Sequence, residues 1–85
     1  MVISKNKIEL NADTNVDGIL EQMAANYTNE NVSTVDGVKI DMPDEWVHMR
    51  KSNTEPIIRI YAESADAGKA NALAERFIKE ISSLW

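Results

Sequence analysis

With 85 residues, 44% of them hydrophobic and 27% charged, the chain is long enough for one core and too apolar for a disordered segment. It has no cysteine and one histidine, His48, which excludes a disulfide framework and disfavours a zinc site built on thiolates or imidazoles. A net charge of −5 argues against a nucleic-acid partner, whose phosphate backbone requires a basic surface, although a local cationic spot for a small anion stays open.

Ile3 to Leu10 alternates Ile8 and Leu10 with charged neighbours and predicts a strand. Lys5, Lys7 and Glu9 interrupt its apolar positions, so it does not read as a signal peptide. Asn11 to Thr14 offers capping side chains, and Val16, Ile19, Leu20, Met23 and Tyr27 follow at the spacing of one helical stripe, which ends near Asn29 to Asn31. Val32 to Val35 and Val38 to Met42 predict two strands joined at Asp36-Gly37, the signature of a type I′ hairpin. Pro43-Asp44 makes the next turn, and Trp46 to Arg50 and Ile57 to Glu63 predict two further strands around a polar loop. Asp66 to Trp85 predicts a second helix, capped by Ser64 or Asp66, that buries Ala70, Leu73, Ala74, Phe77, Ile78 and Ile81. Trp85 is expected to cover the edge of the core.

The order β-α-β(4)-α predicts a single α+β domain over residues 1–85, a mainly antiparallel sheet with both helices on one face. Alternation then sends Val47, Met49, Ile58, Ile60 and Ala62 inward. It leaves Lys39, Asp41, Trp46, His48, Arg50, Arg59 and Tyr61 on the opposite face. No apolar run reaches membrane-spanning length, so a cytoplasmic chain without a membrane partner is expected.

The segment Arg50 to Arg59 concentrates the chemistry. Two guanidinium groups bracket Ser52, Asn53 and Thr54, so cationic forks, hydroxyls, an amide and turn N–H groups can converge on one small anion. Ser52-x-x-Glu55 also has the form of a helix capping box, but Pro56 lacks the N–H that the first helical turn needs. A plain surface turn, with each arginine paired to a neighbouring acid, is the other reading. The added hydroxyls and the shared face favour anion binding. His48 has no carboxylate or nucleophile placed beside it by sequence, so it reads as a surface or interface residue. Trp46 and Tyr61 on the open face are expected to mark a contact with another domain.

Asp36-Gly37-Val38-Lys39-Ile40-Asp41 and the run Trp46 to Glu63, centred on Arg50-Lys51-Ser52-Asn53-Thr54-Glu55-Pro56, resemble the C-terminal domain of the α-D-phosphohexomutases. That family includes phosphomannomutase, phosphoglucomutase and phosphoglucosamine mutase. The resemblance implies a TATA-box-binding-protein-like fold. It also implies a parent isomerase, an intramolecular phosphotransferase that moves a phosphoryl group between C1 and C6 of a hexose by way of a phosphoserine, assisted by magnesium.

Within such an enzyme the resemblance gives Arg50, Ser52, Asn53 and Thr54 the task of holding the phosphate that is not reacting, with Arg59 as a further member. Lys51 stands where proline or alanine is usual, making the loop more cationic. Asn53 leans toward the phosphomannomutase and phosphoglucomutase type. The implied partners are a hexose phosphate and the other domains of the enzyme. No catalytic serine loop and no aspartate-rich metal loop occur in the sequence, so no catalytic residue, metal or cofactor is assigned to it. The chain is expected to be one domain of a larger enzyme, or a natural remnant of one, and inactive alone. The competing reading is a stand-alone interaction domain that docks a protein through the face around Trp46, His48 and Tyr61.

Overall fold

Five strands pair into one antiparallel sheet in the order β1-β5-β4-β3-β2. The computed structural model describes residues 1–84, and the role expected of Trp85 lies outside them. The elements run β1 (Val2–Glu9), α1 (Val16–Asn26), β2 (Asn31–Ser33), β3 (Val38–Met42), β4 (Glu45–Lys51), β5 (Ile57–Ser64) and α2 (Ala67–Ser82). This is the α+β arrangement that the periodicities predict. No helix among the described residues is long and apolar enough to cross a membrane.

Both helices cover the same face. Val38, Ile40, Val47, Met49, Ile58, Ile60 and Ala62 project from the strands into one buried cluster with Ile19, Leu20 and Met23 of α1 and Leu73, Ala74, Phe77 and Ile81 of α2. α1 lies over β3 and β4, and α2 over β1 and β5. Ile78, expected in the stripe, packs on its margin and is only half-buried. Fully burying a side chain such as Ile60 stabilises the fold by about 1.5–3 kcal/mol. Alternation along β4 and along β5 from Ile58 onward delivers that burial from one face, while Ile57 at the start of β5 is buried out of phase.

Helix starts depend on the residue just before the first helical one. Asp66 caps α2, its carboxylate accepting the Lys69 N–H at 2.8 Å, while Ser64 stays in β5 and donates to Glu45 at 3.0 Å. For α1 the cap is Asn15, whose Oδ1 accepts the Gly18 N–H at 3.1 Å, and not the Asn11 to Thr14 stretch. That stretch closes a turn of its own, with the Thr14 N–H on the Asn11 carbonyl at 3.0 Å.

The β2–β3 connection departs from the type I′ expectation. Ser33 pairs with Lys39, so residues 34–38 lie between them, and Val35 is 96% exposed instead of paired. A type I′ turn needs positive φ at both central residues, whereas only Gly37 has it, at 68°. The wider loop is held from outside. The ring Nε2 of His48 lies 2.6 Å from the Asp36 carbonyl oxygen. A carbonyl can only accept, so Nε2 carries the proton.

Candidate anion-binding site

The turn between β4 and β5 is built largely by one hydroxyl. The Ser52 N–H donates to the Ile57 carbonyl at 3.1 Å and the Leu10 N–H to the Pro56 carbonyl at 2.7 Å, which ties the turn to the sheet. Ser52 Oγ accepts the N–H groups of Thr54 at 3.2 Å and Glu55 at 3.3 Å, and lies 3.3 Å from Thr54 Oγ1. These are the bonds of a helix N-cap, yet no helix follows, because Pro56 offers no N–H to continue it. The capping signal in the sequence is thus physically present and serves a turn. Two amides converge on one point, as a nest requires, and the oxygen at that point is the serine's own.

The structure brings the sequence-predicted residues together at one end of the sheet. Arg50 of β4 and Arg59 of β5 are direct cross-strand partners, both exposed on the face away from the helices, beside the turn that carries Ser52, Asn53 and Thr54. Like charges directly opposite one another destabilise a sheet unless an anion lies between them. Arg50 has one such counter-charge already, since its Nη2 lies 3.3 Å from Asp36 Oδ2. Both partners are more than half exposed at the side chain, so this pair is weak and exchangeable.

Lys51 behaves differently from its neighbours. Alternation turns it toward the helices, where its Nζ reaches Asp17 Oδ1 of α1 at 2.9 Å, so its charge is directed away from the arginines. A cleft of about 610 Å³ opens behind Arg50, lined in part by Asp17, Glu21, Asp36, Lys51 and Asn53. Its carboxylates outnumber its cations, so an anion is better served on the open side of Arg50, next to Arg59. The larger hollow, about 1060 Å³, lies around Tyr27, Asp44, Glu45 and Arg76 and includes none of Arg50, Ser52, Asn53, Thr54 or Arg59.

The aromatic residues of the open face are not free platforms. The Lys5 ammonium lies 5.9 Å from the Tyr61 ring centre and that of Lys39 5.1 Å from the Trp46 ring, and both rings are half-buried. Asp36 is the site residue that the sequence concealed: Asp36-Gly37 reads as a turn, and only the register Val38↔Met49 sets it beside Arg50.

Residues 5–80 match the model of a family described as phosphoglucomutase/phosphomannomutase, C-terminal domain. The chain is 42% identical over 77 residues to a phosphoglucosamine/phosphogalactosamine mutase of Sulfurisphaera tokodaii, covering 88% of this chain and 17% of that protein. It is 46% identical over 54 residues to a probable phosphoglucosamine mutase of Methanocella arvoryzae, covering 60% of this chain and 12% of the other. A phosphoglucomutase/phosphomannomutase of Thermococcus kodakarensis is 48% identical over 48 residues, 56% of this chain and 10% of that one. The chain therefore spans less than a fifth of the length of these relatives.

Proposed function

The chain belongs to the phosphoglucomutase/phosphomannomutase C-terminal domain family, and on that premise we propose that it is the phosphate-binding module of a phosphohexomutase. Arg50, Ser52, Asn53 and Thr54, with Arg59 beside them, hold the phosphate of a hexose phosphate that is not undergoing transfer. The observation that carries this reading is the direct opposition of Arg50 and Arg59 at the end of the sheet where the Ser52 turn gathers amides and hydroxyls. A phosphate monoester carries about −1.5 to −2 charge and three acceptor oxygens near neutral pH, which suits two cationic forks and a polar turn. The relatives are named for different sugars, so the reading covers hexose phosphates as a class and is not narrowed to the phosphomannomutase and phosphoglucomutase type toward which Asn53 leans.

Contacts to a phosphate remote from the reacting atom exist before and during transfer, so their contribution is to orient the sugar and fix its distance from the chemistry. A turn that grips only a phosphate accepts either end of a bisphosphorylated sugar, because it reads no ring hydroxyl. Among the described residues no group of three or more His, Cys, Asp or Glu is placed to hold a metal ion, and the magnesium that the resemblance implies would be held by another part of the enzyme.

Backbone amide shifts measured by NMR during titration with glucose 6-phosphate test the reading. Shifts confined to Arg50 through Arg59 and the facing loop are expected, with a Kd of roughly millimolar, about −4 kcal/mol, for a module without its companion domains. Arg50→Ala is expected to weaken binding about tenfold and leave the fold intact, since its side chain is exposed and the lost Asp36 pair is offset by the lost repulsion from Arg59. A silent wild-type spectrum at tens of millimolar ligand would sink the proposal.

A further inference from the structure

The open face of the sheet is far more basic than the chain as a whole. Register sets Lys7 of β1 opposite Arg59, and Arg59 opposite Arg50, so three cations stand abreast on three adjacent strands. The next row carries Lys5, Tyr61, His48 and Lys39. Five of the nine Lys and Arg residues, Lys5, Lys7, Lys39, Arg50 and Arg59, therefore share one face of a chain whose net charge is −5.

These cations are not equally engaged. Lys5 lies over Tyr61, Lys39 lies over Trp46 and 3.5 Å from Asp41, and Arg50 faces Asp36. Among the described residues, Lys7 and Arg59 make no ion pair, although Glu9 stands two residues along β1 on the same face. Neighbouring strands lie about 4.8 Å apart, so an unpaired Lys7 beside an unpaired Arg59 is a standing repulsion. It is relieved if an anion of more than unit charge sits over the row.

Resting on the phosphate-binding reading above, we propose that Lys7 is a third cationic ligand of that site, which reaches over Arg59 to a phosphate dianion held at the Ser52 turn. A lysine head is a compact charge on a flexible four-carbon stem, able to span one strand spacing. A dianion with three terminal oxygens can accept from Arg50, Arg59 and Lys7 together, whereas a carboxylate has neither the charge nor the oxygens to satisfy all three.

The test is a titration of the 85-residue chain with inorganic phosphate at low ionic strength, followed by amide shifts, in wild type, Lys7→Met, Lys7→Arg and Arg50→Ala. Lys7→Met is expected to weaken phosphate about threefold to fivefold and Lys7→Arg to bind much as wild type. Stability supplies a second readout. Without phosphate, Lys7→Met melts at or above wild type because a repulsion is gone; with saturating phosphate the order reverses. If Lys7→Met binds as tightly as wild type and the melting order does not reverse, while Arg50→Ala loses binding, Lys7 is no ligand and the Ser52-turn reading survives. If wild type itself shows no phosphate-dependent shift, that reading falls and the role of Lys7 falls with it.

Discussion

At Arg50 the proposed ligand has a competitor within the chain. The Asp36 carboxylate stands 3.3 Å from the guanidinium, on a loop that His48 fastens from the other side. A phosphate must displace that carboxylate or share the fork with it. Asp36→Asn removes the competing charge and keeps the backbone carbonyl that His48 uses, so phosphate binding should tighten by up to about fivefold, a modest gain because the pair is exposed. The same amide-shift titration checks it, and weaker binding would show that Asp36 positions Arg50 for its ligand. A second residue with a defined electrostatic setting is Tyr27, away from the site. Burial, and then its hydrogen bond to the Glu80 carboxylate at 2.6 Å and 2.7 Å, hold the phenol above its usual value, against the opposing pull of Arg76. A pKa raised by folding means stability that is complete below the unfolded value of about 10 and is lost as pH climbs through the folded value. Tyr27→Phe should be about 1 kcal/mol less stable near pH 7, and urea unfolding at pH 7 and near pH 11 should show the gap to wild type closing.

At the level of the elements, what was legible follows from what repeats. A period of two along β4 and β5 placed Val47, Met49, Ile58, Ile60 and Ala62 inward and Arg50 and Arg59 outward before any pairing was known, and these five apolar residues are buried as expected. The α1 and α2 stripes were legible for the same reason. Connections were less so. The β2–β3 loop is wider than Asp36-Gly37 suggested, because its closure is made by His48 and Arg50 of β4, residues that no local window includes. The row joining β1, β5 and β4 was also hidden, since β1 pairs with β5, a strand some fifty residues away in the sequence. Gly37 tests the loop directly. Its φ of 68° disfavours a side chain, and a Cβ there would run into the Met49 carbonyl and the Arg50 side chain. Gly37→Ala should cost about 2 kcal/mol in urea unfolding and disturb phosphate binding through Arg50, whereas an unaltered midpoint would mean that the loop simply swings away.

For the molecule as a whole, the question is whether the proposed phosphate site could also transfer the group it holds. Transfer to a hydroxyl or from it needs a base within hydrogen-bond reach and charge stabilisation at the reacting phosphorus. Ser52 and Thr54 are the hydroxyls of the turn beside the arginines, and they lie 3.3 Å from each other, with Ser52 Oγ already accepting two amides. Among the described residues no carboxylate oxygen or imidazole nitrogen accepts a hydrogen bond from Ser52 or Thr54: His48 Nε2 donates to the Asp36 carbonyl, and the Asp36 carboxylate faces Arg50. With no base hydrogen-bonded to Ser52, the arrangement fits the proposed role of holding a phosphate without activating a nucleophile. The 85-residue chain incubated with glucose 1-phosphate and magnesium should therefore give no glucose 6-phosphate by phosphorus NMR and no phosphorylated Ser52 by mass spectrometry, while the shifts of the Ser52 turn report binding in the same sample. Conversion above the enzyme-free rate, or a phosphate on Ser52, would mean that this turn is a reacting centre, and the division between gripping and transfer argued from its hydrogen bonds would be wrong.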